Sequence, residues 1–283
     1  MNSITSEEHF LDVSGGTIYA KKWIPTDLQY NAPIVLLHDS LGSVDLWRDF
    51  PEKLAKYLSR VVFAYDRLGF GKSSARNDQP SKSFIWEEAG IYFPYIKEAL
   101  SIDKYILFGH SVGGAMSIAI AAIHTDCVAV ITEAAQAFVE DLTVSGIKSA
   151  RKAFQKSGQV KRLEKWHGDK AEWVLKAWTD VWLSQEFASW SLDPCISRVR
   201  CPILAIHGDE DEYGSIAFPE FISGKAGGES EMVILKNCGH VPHKEKTQEV
   251  MDHVTAFLDR HRTTEGSNNS AVRSSLSTVY LAK

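Results

Sequence analysis

A serine between two glycines constrains this chain more than any other segment. The run GHSVG, centred on Ser111, follows the apolar stretch 105–108 and leads into the small and apolar residues 114–123. These flanks predict a buried strand before the serine and a buried helix after it. A serine on so sharp a turn has room only where the residues two before and two after it lack side chains, as Gly109 and Gly113 do. The sequence therefore predicts a nucleophile elbow that raises the Ser111 hydroxyl above a sheet.

Such a serine needs a histidine base and a carboxylate that orients the histidine. The acidic run 209–212 follows the predicted strand 202–206, and His240 follows the predicted strand 231–235. Serine, acid and histidine thus occur in the order that accompanies a nucleophile elbow. Because the carboxyl ends of parallel strands meet at one edge of an open sheet, we expect these side chains to lie together. The sequence predicts Ser111 as nucleophile and His240 as base.

The chain resembles the α/β-hydrolase superfamily, in particular its capped esterases and enol-lactone hydrolases, across roughly residues 8–262. The segments that carry the resemblance are 37–42, 66–73, 109–113, 207–211 and 239–240. It implies an α/β fold, with a mostly parallel central sheet flanked by helices and a helical cap inserted after the sixth strand. The family usually places its acid where Asp211 stands, which favours Asp211. The family's first loop usually has glycine where this chain has Asp39, whose role the sequence leaves open.

A second carboxylate, Glu133, competes for the role of acid because it ends the predicted strand 128–131 and some relatives place their acid there. We favour Asp211 and expect Glu133 to line the pocket near the entrance of the lid. The oxyanion hole needs two backbone N–H donors. We assign these to Val112 and Ser40, with Leu41 as the alternative if the loop bends differently.

The regular alternation of strands and helices breaks between residues 137 and 194, where only helical spacing is present. We therefore predict a core formed by residues 1–136 and 195–262, a helical cap over residues 137–194, and a disordered tail over residues 263–283. Five of the eight tryptophans fall in the cap: Trp166, Trp173, Trp178, Trp182 and Trp190. We expect most to pack the cap on the core and one or two to line an apolar pocket. The candidate pocket residues are Trp182, Glu133 and His110.

Composition narrows the remaining classes. The net charge of −5 provides no basic surface for nucleic acid or for an anionic membrane. No apolar run reaches the length of a membrane span, residues 1–10 lack a signal-peptide pattern, and the four cysteines have no metal or disulfide spacing. We expect a cytoplasmic protein with a small-molecule substrate and with no metal or cofactor; its oligomeric state is open.

A serine, a base, an acid and an oxyanion hole together predict acyl transfer through a covalent acyl-enzyme, most simply hydrolysis of a small or medium carboxylic ester. The serine at the elbow disfavours the dehalogenase and epoxide hydrolase branches, which place aspartate there. Residues 40–42, followed by Trp47, resemble enol-lactone hydrolases, so an enol-lactone is the main alternative. A carbon–carbon bond hydrolase of aromatic degradation also fits. A ligand-binding receptor on this fold is the alternative from another class, since such receptors can retain the triad.

Overall fold

The computed structural model describes residues 3–261, and its centre is a sheet of eight strands in the order β1-β2-β4-β3-β5-β6-β7-β8. The strands are β1 (Ile4–Val13), β2 (Gly16–Pro25), β3 (Ile34–Leu37), β4 (Val62–Tyr65), β5 (Tyr105–His110), β6 (Cys127–Glu133), β7 (Ile203–Gly208) and β8 (Ser230–Leu235). Strands β1 and β2 form an antiparallel hairpin, and β2 also pairs antiparallel with β4. All the other strand pairs of the sheet are parallel. The predicted α/β-hydrolase fold is confirmed.

The central strands are buried along their whole length because helices cover both faces of the sheet. Every residue of β3, β4, β5, β6 and β7 is buried, which explains why their sequences are continuous apolar runs rather than alternating ones. On one face α1 (Phe50–Leu58) and α11 (Thr247–Arg260) pack through residues such as Leu54 and Phe257. On the other face lie α4 (Val112–Ile123) and its neighbours.

The remaining helices include one that the sequence predicts as continuous but that is interrupted. The segment predicted as a helix over 83–100 is divided into α2 (Phe84–Glu87), a wider π-helical turn (Glu88–Tyr92) and α3 (Phe93–Ala99). Pro94 has no N–H to donate to a carbonyl one turn earlier, and the wider turn accommodates that loss.

The segment between β6 and β7 contains four helices: α5 (Asp141–Phe154), α6 (Gln159–His167), α7 (Ala171–Trp182) and α8 (Asp193–Ile196). Two short helices complete the fold, α9 (Ala217–Lys225) and α10 (Pro242–Glu245). The predicted tail, 263–283, lies outside the described residues. Within residues 3–261, no helix has both the length and the apolar character needed to cross a membrane.

Candidate active site

Ser111 lies on the turn between β5 and α4, with backbone angles of φ 57° and ψ −124°. This strained geometry is tolerated because the turn is packed without side chains on either side of it. A Cβ atom on Gly109 would overlap the carbonyl of Gly113, and one on Gly113 would overlap the carbonyl oxygen of Leu37. The N–H of Ser111 donates to the carbonyl of Glu133 at 2.9 Å. The strand, turn and helix predicted from the sequence are therefore present, and both glycines are required by close approach.

Three side chains from separate loops form one hydrogen-bonded chain at the carboxyl edge of the sheet. The Oγ atom of Ser111 lies 3.0 Å from Nε2 of His240. On the other side of the ring, Nδ1 of His240 lies 2.9 Å from both carboxylate oxygens of Asp211. Asp211 follows β7 and His240 follows β8, so the structure brings together the three residues that the sequence selects.

The environment of Asp211 favours its ionised form. Burial alone would raise its pKa, but His240, the His207 imidazole and the N–H of Tyr213, which donates to Oδ1 at 2.7 Å, lower the pKa below its ordinary value. A buried carboxylate beside Nδ1 requires a proton on that nitrogen. The Nε2 atom of His240 is then left with its lone pair directed at Ser111.

The turn after β3 contains Ser40 and Leu41, the two candidates for the second donor of an oxyanion hole. The N–H of Leu41, the alternative donor, already donates a hydrogen bond to Oδ1 of Asp39 at 2.7 Å. Ser40 lines the cavity in front of Ser111. Val112 begins α4, so its N–H has no partner within the helix. This geometry favours Ser40 over Leu41 as the partner of Val112.

Buried polar side chains brace this turn from below. The guanidinium of Arg67 donates to the carbonyl of Asp39 at 2.7 Å, and the Arg67 N–H donates to Nε2 of His38 at 3.1 Å. Burial and the neighbouring Arg67 hold the pKa of His38 well below its ordinary value, so His38 is neutral. Asp66 accepts from the Val44 N–H at 2.6 Å, and burial raises its pKa to about 6. His38, Asp66 and Arg67 therefore support the loop.

Sequence reasoning missed Gln136, whose side-chain amide lies against Oγ of Ser111. Its Nε2 atom lies 3.1 Å from Oγ of Ser111 and its Oε1 atom 3.2 Å from the same oxygen. Gln136 is 5% exposed and follows the end of β6 by three residues. No motif marks it, and only the adjacency of β5 and β6 places it beside Ser111.

Glu133 is not where the sequence led us to expect it. It is fully buried, and its Oε2 atom lies 2.5 Å from Nδ1 of His243, on the face of the sheet that α1 covers. His243 packs there on Trp47 and Phe50, with ring centroids 4.7 and 5.2 Å away. Glu133 therefore does not line the cavity, since its side chain leaves the end of β6 toward α1 rather than toward the cap.

His110 is also absent from the residues that line the cavity, and its ring instead lies against the rings of His240 and His243. The ligand atoms of His110, Glu133 and His243 lie within 4.8 Å of one another, which is the spacing of a metal site. However, Glu133 and His243 are already bonded to each other, and His110 bonds to the carbonyl of His240 at 2.7 Å. We therefore interpret these residues as a hydrogen-bonded network rather than as a metal site.

The cavity in front of Ser111 has a volume of about 460 Å³ and a mixed lining. Its polar wall includes Ser111, His240, Gln136, Ser40 and Asp39, and its apolar wall includes Trp178, Trp182 and Tyr213. Trp182 lies where the sequence predicts. A neighbouring cavity of about 490 Å³ shares Ser40 and the same two tryptophans.

The other cap tryptophans have different surroundings. Trp173 lines the neighbouring cavity, Trp166 stacks on Arg48 at 4.0 Å, and Trp190 packs on Phe187 at 5.4 Å. Both Trp178 and Trp182 project from α7, where a spacing of four residues places them on one face of the helix.

Comparison with known proteins places the chain in a family. The sequence profile described as "Alpha/beta hydrolase family" matches residues 34–253. A proline iminopeptidase of Lactobacillus crispatus is 22% identical over 271 residues, covering 81% of this chain and 90% of that protein. The crystal structure of a proline iminopeptidase from Mycobacterium smegmatis has a TM-score of 0.71 at 19% identity, covering 92% of this chain and all of the other. That of a bacterial membrane phospholipase A has a TM-score of 0.73 at 21% identity, covering 91% and 87%. The profile match, together with the fold and the geometry of the elbow, establishes that this chain belongs to the alpha/beta hydrolase family and is a hydrolase.

Proposed function

We propose that the chain is a serine hydrolase that cleaves small or medium carboxylic esters through an acyl-enzyme intermediate. The observation that carries the proposal is the continuous series of hydrogen bonds from Ser111 through His240 to Asp211. The series opens on a concave site whose lining combines polar side chains with the rings of Trp178 and Trp182, as in sites for small organic substrates.

In the first half-reaction, Nε2 of His240 removes the proton of Ser111 as Oγ attacks the ester carbonyl. The negative charge that develops on the carbonyl oxygen is stabilised by the N–H groups of Val112 and Ser40. The imidazolium of His240 is stabilised by Asp211 and gives its proton to the departing alcohol. The product of this step is an ester between Ser111 and the acyl group.

In the second half-reaction, His240 takes a proton from a water molecule as its oxygen attacks the acyl-enzyme, and returns that proton to Oγ of Ser111 as the Oγ–acyl bond breaks and the acid product leaves. The amide of Gln136 lies within hydrogen-bonding distance of Oγ of Ser111. It therefore reaches the space in which the leaving alcohol and then the water must sit. We assign Gln136 the role of a polar contact to those groups.

The helices of residues 137–194 serve as a cap in this proposal. Trp178 and Trp182 of α7 form the apolar wall opposite Ser111, and Thr143 and Ile147 of α5 complete it. A wall of large, buried rings limits the length of an acyl chain that can be accommodated. We therefore expect short and medium esters to be preferred over long-chain lipids.

The test uses p-nitrophenyl esters of increasing acyl length and a fluorophosphonate probe. Ser111→Ala should abolish turnover and labelling while leaving the fold intact. The matched control is Ser117→Ala, the same change in the buried serine of α4 that bonds to the carbonyl of Gly113. Labelling that persists in Ser111→Ala would refute the assignment of Ser111 as nucleophile. A preference for long-chain lipids would refute the proposed substrate class.

The same assay separates an enzyme from a ligand-binding receptor on this fold. Repeated turnover of p-nitrophenyl acetate indicates an enzyme, whereas binding of a ligand without turnover indicates a receptor. Enol-lactones and vinylogous diketones in the same screen test the lactone and carbon–carbon alternatives.

An amide substrate is the second candidate, since the proline iminopeptidase relative aligns over 90% of its own length. Amide hydrolysis uses the same acyl-enzyme, with an amine rather than an alcohol as the leaving group. Turnover of proline p-nitroanilide with a higher kcat/KM than p-nitrophenyl acetate would favour this candidate over the ester.

A further inference from the structure

His110 connects two loops that the proposed reaction requires. Its Nε2 atom lies 2.7 Å from the carbonyl oxygen of His240, the residue that we propose as the base. Its Nδ1 atom lies 3.3 Å from Oδ2 of Asp39, within ion-pair distance. The side chain is only 2% exposed, so its interactions are shielded from water.

The two neighbours of His110 require a particular protonation state. A backbone carbonyl and a carboxylate both accept hydrogen bonds, and a neutral imidazole carries only one N–H. The imidazolium can serve both acceptors at once. Moreover, Nδ1 is buried and makes no hydrogen bond of good alignment within residues 3–261, so the charge of Asp39 is its main compensation.

Asp39 links His110 to the turn after β3 that contains Ser40 and Leu41, which we call the oxyanion turn. While Oδ2 faces His110, Oδ1 accepts the N–H of Leu41 at 2.7 Å. That bond holds Leu41 in place beside Ser40, which lines the cavity. Partial burial would raise the pKa of Asp39, but His110, His38 and the Leu41 N–H lower it, so Asp39 is an anion.

The other titratable groups that face His110 are consistent with a cationic ring. His243 lies 5.0 Å away, centroid to centroid, and burial lowers its pKa, so it is neutral. Glu133 is hydrogen-bonded to His243, and its carboxylate lies within 4.8 Å of the nearest ring nitrogen of His110. The ring centroid of His240 lies 5.1 Å from that of His110. Burial would lower the pKa of His110, but Asp39, Glu133 and the His240 carbonyl outweigh it and raise the pKa above its ordinary value.

We propose that His110, as a buried imidazolium, is a positioning residue that ties the oxyanion turn, through Asp39, to the loop that carries His240. The inference rests on the proposed function, because it assigns roles to Ser40 and His240. It also explains why this chain carries aspartate where its family usually has glycine. His110 does not line the cavity and acts through Asp39 and the His240 loop, whereas Asp39 lies at the cavity wall beside Ser40.

The test measures kcat, KM and their pH dependence for His110→Gln, Asp39→Asn and the double variant, with p-nitrophenyl acetate as substrate. In His110→Gln one hydrogen bond to the His240 carbonyl can survive, but the charge opposite Asp39 is lost. Because a displacement near 1 Å can cost about 10²-fold in rate, we expect kcat to fall about 10- to 100-fold with KM within about threefold. Asp39→Asn retains the acceptor for Leu41 and should cost about tenfold.

Two readouts distinguish positioning from general stability. Wild-type kcat should fall as the pH rises through the raised pKa of His110, because the neutral ring can donate to only one acceptor, and this fall should be absent in His110→Gln. The double variant should be no slower than His110→Gln alone, since both changes break one contact. The control is His124→Gln, the same substitution at a histidine that has no carboxylate partner in the contacts described above. Its Nε2 atom lies 3.0 Å from the carbonyl oxygen of Ala89, at the end of α4 far from Ser111. It should behave as wild type.

The rate at which a fluorophosphonate labels Ser111 tests the role of His110 without requiring that the substrate be known. If wild type is labelled but hydrolyses no ester, the ester proposal fails, and the labelling rates of the variants still decide the role of His110. If His110→Gln does not fold, Asp39→Asn decides it, because that side chain is 30% exposed. Rates within twofold of wild type in the folded variants would overturn the proposal. Fully additive losses, or an alkaline fall that persists in His110→Gln, would also overturn it.

Discussion

Replacing Asp211 by asparagine tests the catalytic assignment most directly. Both oxygens of Asp211 lie 2.9 Å from Nδ1 of His240, and Oδ1 also accepts the Tyr213 N–H at 2.7 Å. In Asp211→Asn the amide oxygen is expected at the Oδ1 position, since only an acceptor can face the Tyr213 N–H. The NH₂ group then occupies the Oδ2 position, where it faces the N–H of His240.

In Asp211→Asn one of the two acceptors facing Nδ1 becomes a donor and the negative charge is lost, so the tautomer of His240 with its proton on Nε2 is favoured relative to wild type. A histidine in that tautomer cannot accept the Ser111 proton, and its imidazolium also loses the opposing charge. The corresponding change in a serine protease lowers kcat by about 10⁴. At 1.36 kcal/mol for each factor of ten, this is about 5.4 kcal/mol of transition-state stabilisation.

The assay is kcat for p-nitrophenyl acetate, with folding monitored by thermal unfolding. The matched control is Asp209→Asn, the same chemical change two residues away, in a side chain that pairs with Lys236 at 3.3 Å; it should leave kcat unchanged. Glu133→Gln tests the rival acid and should cost far less than Asp211→Asn, because the bond between Asp211 and His240 remains. A loss near 10⁴ in Glu133→Gln, with near-normal turnover in Asp211→Asn, would refute the reasoning.

The pH dependence of stability gives a further check on the same residue. Because the folded pKa of Asp211 is lowered, its ionised form stabilises the fold above its unfolded value of about 3.9. That contribution is lost as the pH falls through the folded pKa. The stability of Asp211→Asn should therefore depend less on pH below about 4 than that of wild type.

Three further predictions follow from the cavity and from a cysteine pair. Gln136→Leu should lower kcat about tenfold, because the amide beside Oγ is lost at similar side-chain volume; unchanged kinetics would exclude a polar role. Trp178→Ala should merge the two neighbouring cavities and shift the preferred p-nitrophenyl ester toward longer acyl chains; an unchanged chain-length profile would contradict this. Cys127 and Cys201, with sulfur atoms 3.9 Å apart, should form a disulfide under diamide, detectable by peptide mass and absent in Cys201→Ser.

Features that depend on local chemistry can be predicted from neighbouring residues alone. A glycine two residues on either side of Ser111 is a steric requirement of the turn, so the strand, elbow and helix can be predicted from adjacent residues. Continuous apolar runs likewise predict strands buried on both faces, and the final helix spans Thr247–Arg260, as its apolar spacing predicts.

Tertiary structure decided what depends on contacts between distant residues. Gln136 reaches Ser111 only because β5 and β6 are adjacent, and Cys127 meets Cys201 only because β6 is paired with β7. Side chains at strand ends presented a similar difficulty. Glu133 ends a strand at the edge where the reacting residues lie, yet its side chain turns to the opposite layer and pairs with His243.

The pairing of Asp39 with His110 shows the same limit most clearly. No sequence motif indicates that these two residues are in contact. Each one, considered alone, stands at a position where many residue types could occur. Their distance of 3.3 Å arises from the packing of β3 beside β5, which the chain achieves across 71 residues. Local sequence specifies a turn or a strand because its energetics are set by neighbouring residues, whereas the contact between Asp39 and His110 forms only when the fold brings two distant strand ends together and buries the imidazole.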